Sequence, residues 1–103
     1  MDVVVRREAL GVDGRLDASC AADVRARLNR LIDSTVGDVV IDLSGVDLVD
    51  ATGLGVLAGA HRRLRRTGRR LILRGCGAHL RRVLAVTGLR RVMYVEPAGR
   101  IAV

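Results

Sequence analysis

The chain has 103 residues, of which 50% are hydrophobic, and a net charge of +7 to which every basic residue contributes as arginine. This length suits one domain, and the apolar fraction excludes a disordered chain. Two cysteines do not make a disulfide scaffold. The longest uncharged run, "ATGLGVLAGA", is far shorter than the ~20 residues of a membrane-spanning helix. Because no signal peptide is recognised, we expect a cytoplasmic protein without membrane insertion.

Charge is divided unevenly along the chain. Residues 1–50 hold six arginines and ten acids, a balance of −4, whereas residues 51–103 hold twelve arginines and one acid, Glu96, a balance of +11. Such an asymmetry can steer anionic partners towards the basic half. It is equally typical of a solvated arginine surface.

The first fifty residues predict strands around one helix. β-branched residues over 3–10 predict a strand, and the two glycines of 11–17 predict a short second strand or turn, so the two could form a hairpin. A helix is predicted over 19–33, with Ser19 capping its start and Asp23 favouring its dipole. The apolar residues at helical spacing are Val24, Leu28 and Leu31.

A buried strand and a glycine-rich helix are predicted next. The run 39–43 is apolar except for Asp42 and predicts a central strand, and 44–52 predicts a loop. The following helix spans about 53–66. Its inward face is predicted to hold Leu54, Leu57, Ala58, His61 and Leu64. Its exposed side, almost bare backbone near the loop, is predicted to hold Gly55, Val56, Gly59, Arg62, Arg63 and Arg66.

The remaining segments continue this alternation. Gly68 ends the helix, 69–75 predicts a strand, 78–88 predicts a helix that stops at Gly88, and 90–97 predicts the last strand. The inward residues of that helix are predicted to be Leu80, Val83, Leu84 and Thr87. The order β-β-α-β-α-β-α-β predicts an α/β fold. It has a mixed, mostly parallel sheet with helices packed against it and an antiparallel part from the initial hairpin.

Residues suited to metal binding or catalysis do not cluster in the sequence. The cysteines and histidines stand singly without zinc-ligand spacing, so we expect no metal, and His61 is predicted to be a partly buried boundary residue. No nucleophile motif is present, and the acids Asp42, Asp47 and Asp50 face no obvious base, so we expect no enzyme and no catalytic residue. The glycine pairs are too short for a phosphate-binding loop, so no cofactor is expected.

The basic run 61–70 raises nucleic-acid binding as a hypothesis. Single-strand binding normally uses several aromatic side chains for stacking, and Tyr94 is the chain's one aromatic residue. Strands separate the helices, which excludes a helix-turn-helix arrangement. We therefore expect no direct nucleic-acid partner.

Thr52 stands between Asp50 and Gly53, where the loop becomes a helix. A hydroxyl there can cap an unpaired N–H group, which contributes on the order of 1 kcal/mol. A phosphate there would meet those N–H groups and the positive end of the helix dipole, and would add roughly −1.5 to −2 charge beside Asp50. The residues leave both a cap and a phosphate acceptor open.

Three segments resemble a known family. They are "VVIDLSGVDLVDATGLGVLAGAHRRLRRTGRRLILRG", "LRRVLAVTGLRRV" and "GRLD". Together they resemble the STAS domain of bacterial anti-sigma-factor antagonists over roughly 3–96. The most specific part is the D-x-[ST]-G-L-G loop, here "DATGLG" from Asp50 to Gly55. The resemblance implies one STAS domain over 1–103 with a short tail at 97–103.

The resemblance also implies a mechanism. In that family the unmodified antagonist binds an anti-sigma factor, often also an ATP-dependent serine/threonine kinase, and so frees a sigma factor. The kinase phosphorylates the hydroxyl before the loop glycine, the phosphoprotein dissociates, and a phosphatase resets it. Thr52 matches the acceptor. The implied partner-binding residues of the loops and the second helix are Asp17, Asp50, Ala51, Gly53, Gly55, Val56, Gly59 and Arg62.

The chain departs from the family in three places. Thr52 stands where Ser is common, and Ala51 stands where many members have a second Ser, which leaves Thr52 as the loop's one acceptor. Many members also have a helix after the last strand, where this chain has "AGRIAV". That end could alter a partner surface or permit a homo-oligomer.

Two other functions stay open. The same fold and loop occur in small subunits attached to bacterial lipid-transport ATPases, where Thr52 would be a docking residue and the basic half would suit an acidic ATPase surface. A second alternative is a non-switching scaffold component of a large signalling assembly. Affinity purification with mass spectrometry would identify the partner, and size-exclusion chromatography would reveal a large assembly.

Overall fold

The structure, a computed structural model, describes residues 9–97. Their elements are β1 Ala9–Leu16, α1 Ala21–Ser34, β2 Val39–Val49, α2 Ala51–Arg65, β3 Leu71–Arg74, α3 Ala78–Thr87, a 3-10 helix Leu89–Arg91 and β4 Tyr94–Val95. The strands form one sheet in the order β1-β2-β3-β4, and each neighbouring pair is parallel. The predicted α/β class with a mostly parallel sheet is confirmed.

The start of the chain differs from the prediction. Of the predicted strand 3–10, only Ala9 and Leu10 lie within the described residues, so most of the first arm of the predicted hairpin with 11–17 lies outside them. Ala9 and Leu10 belong to β1, which continues without a turn to Leu16. The strand boundary predicted at Gly11 is therefore wrong, because β1 absorbs its irregular residues as register shifts against β2.

β2 is longer than predicted. The loop predicted over 44–52 is wrong as far as Val49, since these residues continue the strand and pair with the second half of β1. Gly45 lies opposite Asp13 in this pairing, and a Cβ there would require the Asp13 carboxylate to turn away. The extension brings Leu16 opposite Val49, so that β1 and β2 end side by side.

α1 starts later than predicted, and its predicted cap is wrong. Its N-cap residue is Cys20, without a side-chain hydrogen bond, because the Ser19 hydroxyl donates to Asp17 instead. Asp23 lies in the first turn as predicted, and its carboxylate is 3.7 Å from Arg27. The buried residues of the helix are Ala21, Val24, Leu28 and Ile32, whereas Leu31 is half-buried.

α2 is rotated relative to the predicted face. Its buried residues are Gly53, Val56, Leu57, Ala60 and Leu64. The predicted exposure of Val56 is wrong, because α2 packs against α1 as well as against the sheet and needs a wider apolar stripe. His61 is partly buried, as predicted. Gly68 ends the helix with φ +73°, and the next amide, of Arg69, donates to Leu64 O at 3.0 Å.

The last strand of the fold is shorter than predicted. α3 stops at Gly88, which has φ +80°, as predicted. The predicted inward position of Thr87 is wrong, since it is exposed and its hydroxyl bonds back to Val83 O. The strand predicted over 90–97 reduces to Tyr94–Val95, because the chain first forms a 3-10 turn. Most of the tail, 98–103, lies outside the described residues.

Candidate functional site

Two loops meet at the edge of the sheet where β1 and β2 end. Asp17 to Cys20 follow β1, and Asp50 follows β2. The Asp50 amide donates to Leu16 O at 3.3 Å, which continues the pairing of the two strands into the loops. In parallel sheets, this edge is where loops commonly carry functional residues.

Asp50 joins the two loops. One carboxylate oxygen accepts from the Gly53 amide at 2.8 Å and caps α2, and the other accepts from the Ala18 amide at 3.2 Å. Helix α2 therefore begins at Ala51 with Asp50 as its N-cap. Of the two roles left open for Thr52, the helix cap is not the one observed, because the helix starts one residue before it and the Asp50 carboxylate takes the Gly53 amide.

Gly53 fixes how closely the helix approaches β1. It is buried, and a Cβ at this position would lie 2.0 Å from Leu16 O. No side chain fits there unless the backbone moves. The glycine of the loop is thus required by internal packing, and it offers no side-chain surface to a partner.

Thr52 is exposed in the first turn of α2. Its hydroxyl forms no hydrogen bond within residues 9–97, since Asp50 has taken the capping role. The amide of the next residue, Gly53, is held by Asp50, and that of Leu54 donates to Asp50 O at 2.9 Å. Thr52 thus presents a free hydroxyl at the positive end of the helix dipole.

Asp17 holds the turn after β1. Its carboxylate accepts from the Ser19 amide at 3.0 Å and from the Ser19 hydroxyl at 2.5 Å. The Ser19 hydroxyl, against the opposing effect of burial, holds the pKa of Asp17 below its ordinary value, and Arg15 lies 3.9 Å away. Asp17 is therefore ionised, and its carboxylate holds the turn after β1 through Ser19.

The structure separates the predicted partner-binding residues into two sets. Those at the strand ends are Asp17, Asp50, Ala51 and Gly53. Those along α2 are Gly55, Val56, Gly59 and Arg62. Ala51, Gly55 and Arg62 are exposed, whereas Gly53 and Val56 are buried. Sequence reasoning missed Ala18, whose contribution is a backbone amide that no residue type signals.

Two kinds of feature are absent from residues 9–97. Within that part of the chain, no three His, Cys, Asp or Glu side chains are placed to hold a metal ion. None of the helices described is both long and apolar enough to cross a bilayer.

This chain is similar to several known proteins in sequence or in fold. An anti-sigma-B factor antagonist of Staphylococcus epidermidis is 29% identical over 90 residues, covering 87% of this chain and 83% of the relative. The Bacillus cell fate determinant SpoIIAA in its phosphorylated form superposes with a TM-score of 0.69 at 23% identity, covering 94% and 89% of the two chains. A sulfate transporter family protein of Wolinella succinogenes gives 0.73 at 23% identity, covering 90% and 80%.

The model of the STAS domain family matches residues 1–100. That match covers nearly the whole chain, including both loops at the strand ends and all of α2. The chain belongs to the STAS domain family.

Proposed function

We propose that this chain is an anti-sigma-factor antagonist that docks on an anti-sigma factor kinase and is released when that kinase phosphorylates Thr52. The observation that carries the proposal is the free, exposed hydroxyl of Thr52 beside a capped helix start. The similarity to antagonists of Staphylococcus supports the partner class. The phosphorylated form of SpoIIAA, a protein of the same fold, supports a phosphate-controlled switch.

The first turn of α2 suits a reversible phosphate. A phosphoryl group on Thr52 would lie at the positive end of the helix dipole, so the fold itself tolerates the added charge. Asp50 keeps its cap and its bond to Ala18, because neither uses the Thr52 hydroxyl. The added charge of roughly −1.5 to −2 would lie at the surface that a docked partner contacts, where it would oppose docking.

Incubation with each candidate anti-sigma factor kinase and ATP tests the acceptor directly. We expect intact-mass spectrometry to show one added phosphoryl group, and fragmentation to place it on Thr52. Thr52→Ala should remain unmodified and bound to the kinase, and Thr52→Glu should bind poorly.

Ser34→Ala is the matched control, since Ser34 is an exposed hydroxyl at the far end of α1, outside both loops. It should be phosphorylated and released like the unaltered chain. A phosphate placed on Ser19, or release of Thr52→Ala in the presence of ATP, would contradict the proposal.

A second candidate function is docking on a transport protein, as in the subunits attached to lipid-transport ATPases. The shared fold of a sulfate transporter family protein favours keeping this candidate. Affinity purification distinguishes the two. A kinase that elutes upon ATP addition supports the antagonist, whereas a transporter component that stays bound regardless of ATP supports the second candidate.

A further inference from the structure

A groove of about 160 Å³ lies between α1 and α2, away from the strand ends. Its lining residues are Arg25, Leu28, Asn29, Val56, Gly59 and Ala60. Leu28, Val56 and Ala60 are buried and form an apolar floor. The residues that rise beside it are polar, and Arg25 and Asn29 are exposed on α1. The groove therefore combines an apolar base with a polar rim.

Gly59 lines the groove on α2, and Gly55 lies one helical turn before it, so that neither position adds a side chain to this side of the helix. A Cβ at either position would meet no atom within 4 Å, so internal packing does not require a glycine there. Glycine inside a helix lowers stability by roughly 0.5–1 kcal/mol relative to alanine. The two positions are one helical turn apart and allow the backbone of an approaching element to come close to α2.

Positive charge lies in the groove on α1 and next to it on α2. Arg25 lines the groove, and Arg62 follows the lining Gly59 by three residues, which places it on the same side of α2. Both arginines are exposed and form no ion pair within residues 9–97. Arg63, which lies beside Arg62, is instead engaged by Asp33 and Asn29 across the two helices. Asp33 is thus already paired with Arg63, whereas Arg25 and Arg62 have no ion pair in the described residues.

We propose that this groove receives an acidic amphipathic helix of the partner. Its small or apolar residues lie against Gly55 and Gly59, and its carboxylates pair with Arg25 and Arg62. Carboxylates on both flanks of such a helix would each face an arginine, and these pairs set the register and orientation of the helix. This inference deepens the proposed function, because it names the chemistry of the partner segment, but its test requires neither the kinase nor Thr52 phosphorylation.

A synthetic peptide supplies the probe. It is an amphipathic helix with alanine on one face and glutamate on both flanks, and a second peptide has every glutamate replaced by lysine. Each is titrated into the isotope-labelled full chain and followed by amide NMR. The acidic peptide should give saturable shifts at Arg25, Asn29, Gly55 and Gly59, and the lysine peptide should not.

Two variants test the groove. Arg25→Glu with Arg62→Glu should lower the affinity for the acidic peptide by about tenfold, because two attractive contacts become repulsive. Gly59→Leu should do the same by filling the groove. The matched control is Arg82→Glu with Arg90→Glu, exposed arginines beyond the groove that also lack an ion pair in the described chain.

The outcomes separate cleanly. Weakening by the groove variants alone supports the proposal. Absence of saturable binding, shifts centred on α3, or equal weakening by the control overturns it, since a general arginine field would then explain the attraction. If Gly59→Leu disturbs the fold, the exposed Arg25 and Arg62 pair decides. A failed groove together with kinase release that still depends on Thr52 would overturn this inference and leave the proposed function standing.

Discussion

The glycines at the start and in the middle of α2 serve opposite sides of the helix. Gly53 is buried, and its missing side chain lets Leu16 O approach to a distance that no Cβ would permit. Gly55 and Gly59 have open space where a Cβ would stand. One glycine is thus explained by the fold and the other two are not. The candidates for partner contact are the glycines that the fold does not need.

The largest expected effect comes from Gly53→Ala. The added Cβ would lie 2.0 Å from Leu16 O and 2.8 Å from Leu16 C, and both atoms belong to backbone that is held in the sheet. We expect the free energy of unfolding to fall by about 3 kcal/mol, as overpacked sites do. Urea denaturation followed by far-ultraviolet circular dichroism measures it. A variant as stable as the unaltered chain would show that α2 does not depend on this close approach.

Asp50→Ala should have the next largest effect. It removes the cap of α2 and the bond to Ala18, which together stabilise the fold by about 1–2 kcal/mol. Asp50→Asn is the matched control, because its amide oxygen can still cap Gly53 while the bond to Ala18 is lost. The same denaturation experiment should rank the three proteins Asp, Asn, Ala. If the Asn and Ala variants are equally stable, the cap contributes nothing measurable.

The features that the sequence predicted correctly depend on local signals. Helical spacing correctly placed Val24 and Leu28 in the core, and the glycine stops at Gly68 and Gly88 are confirmed. These signals are local, since they depend on residues within one or two turns of each other. The second half of β2 was missed because its turn-like composition becomes a strand only when β1 supplies a pairing partner far away in the chain.

The residue that caps α2 could not be decided from the sequence for a different reason. Asp50 and Thr52 are both residue types that cap helices, and a shift of the helix start by little more than one residue decides between them. The carboxylate wins because it also reaches the amide of Ala18 on the neighbouring loop. That amide has no signature in the sequence. The Asp50 cap strengthens the phosphate-acceptor hypothesis, since it leaves the Thr52 hydroxyl free.

A pH-dependent effect is expected from the inner side of α2. Burial lowers the pKa of His61, with Arg65 and Arg62 adding to the shift, and neither ring nitrogen has a hydrogen-bond partner within residues 9–97. Below the ordinary value of 6.5, the unfolded chain therefore takes up a proton that folded His61 resists. The contribution of neutral His61 to the free energy of unfolding should be fully present above that pH. It should decrease as the pH falls towards the folded pKa, by at most about 1.4 kcal/mol per pH unit for one proton.

Denaturation at about pH 7.5 and about pH 5.5 measures this dependence. His61→Leu should remove the histidine contribution to the difference, because it leaves an uncharged side chain against the sheet. His79, exposed on α3, provides the control, and His79→Gln should retain the difference. If the two variants behave alike, His61 does not link the packing of α2 to pH.

The smallest change, and the one of opposite sign, is expected from Gly55→Ala and Gly59→Ala. Each should raise the free energy of unfolding by roughly 0.5–1 kcal/mol, because alanine suits a helix interior better and meets no neighbour here. The same substitutions should weaken docking of the acidic peptide, since a methyl group then separates the two backbones. Denaturation and the NMR titration measure the two quantities on one protein. A gain in stability combined with a loss of binding would mean that these glycines are kept for the partner. A gain in stability with binding unchanged would remove them from the contact surface and leave Arg25 and Arg62 as the whole of the attraction.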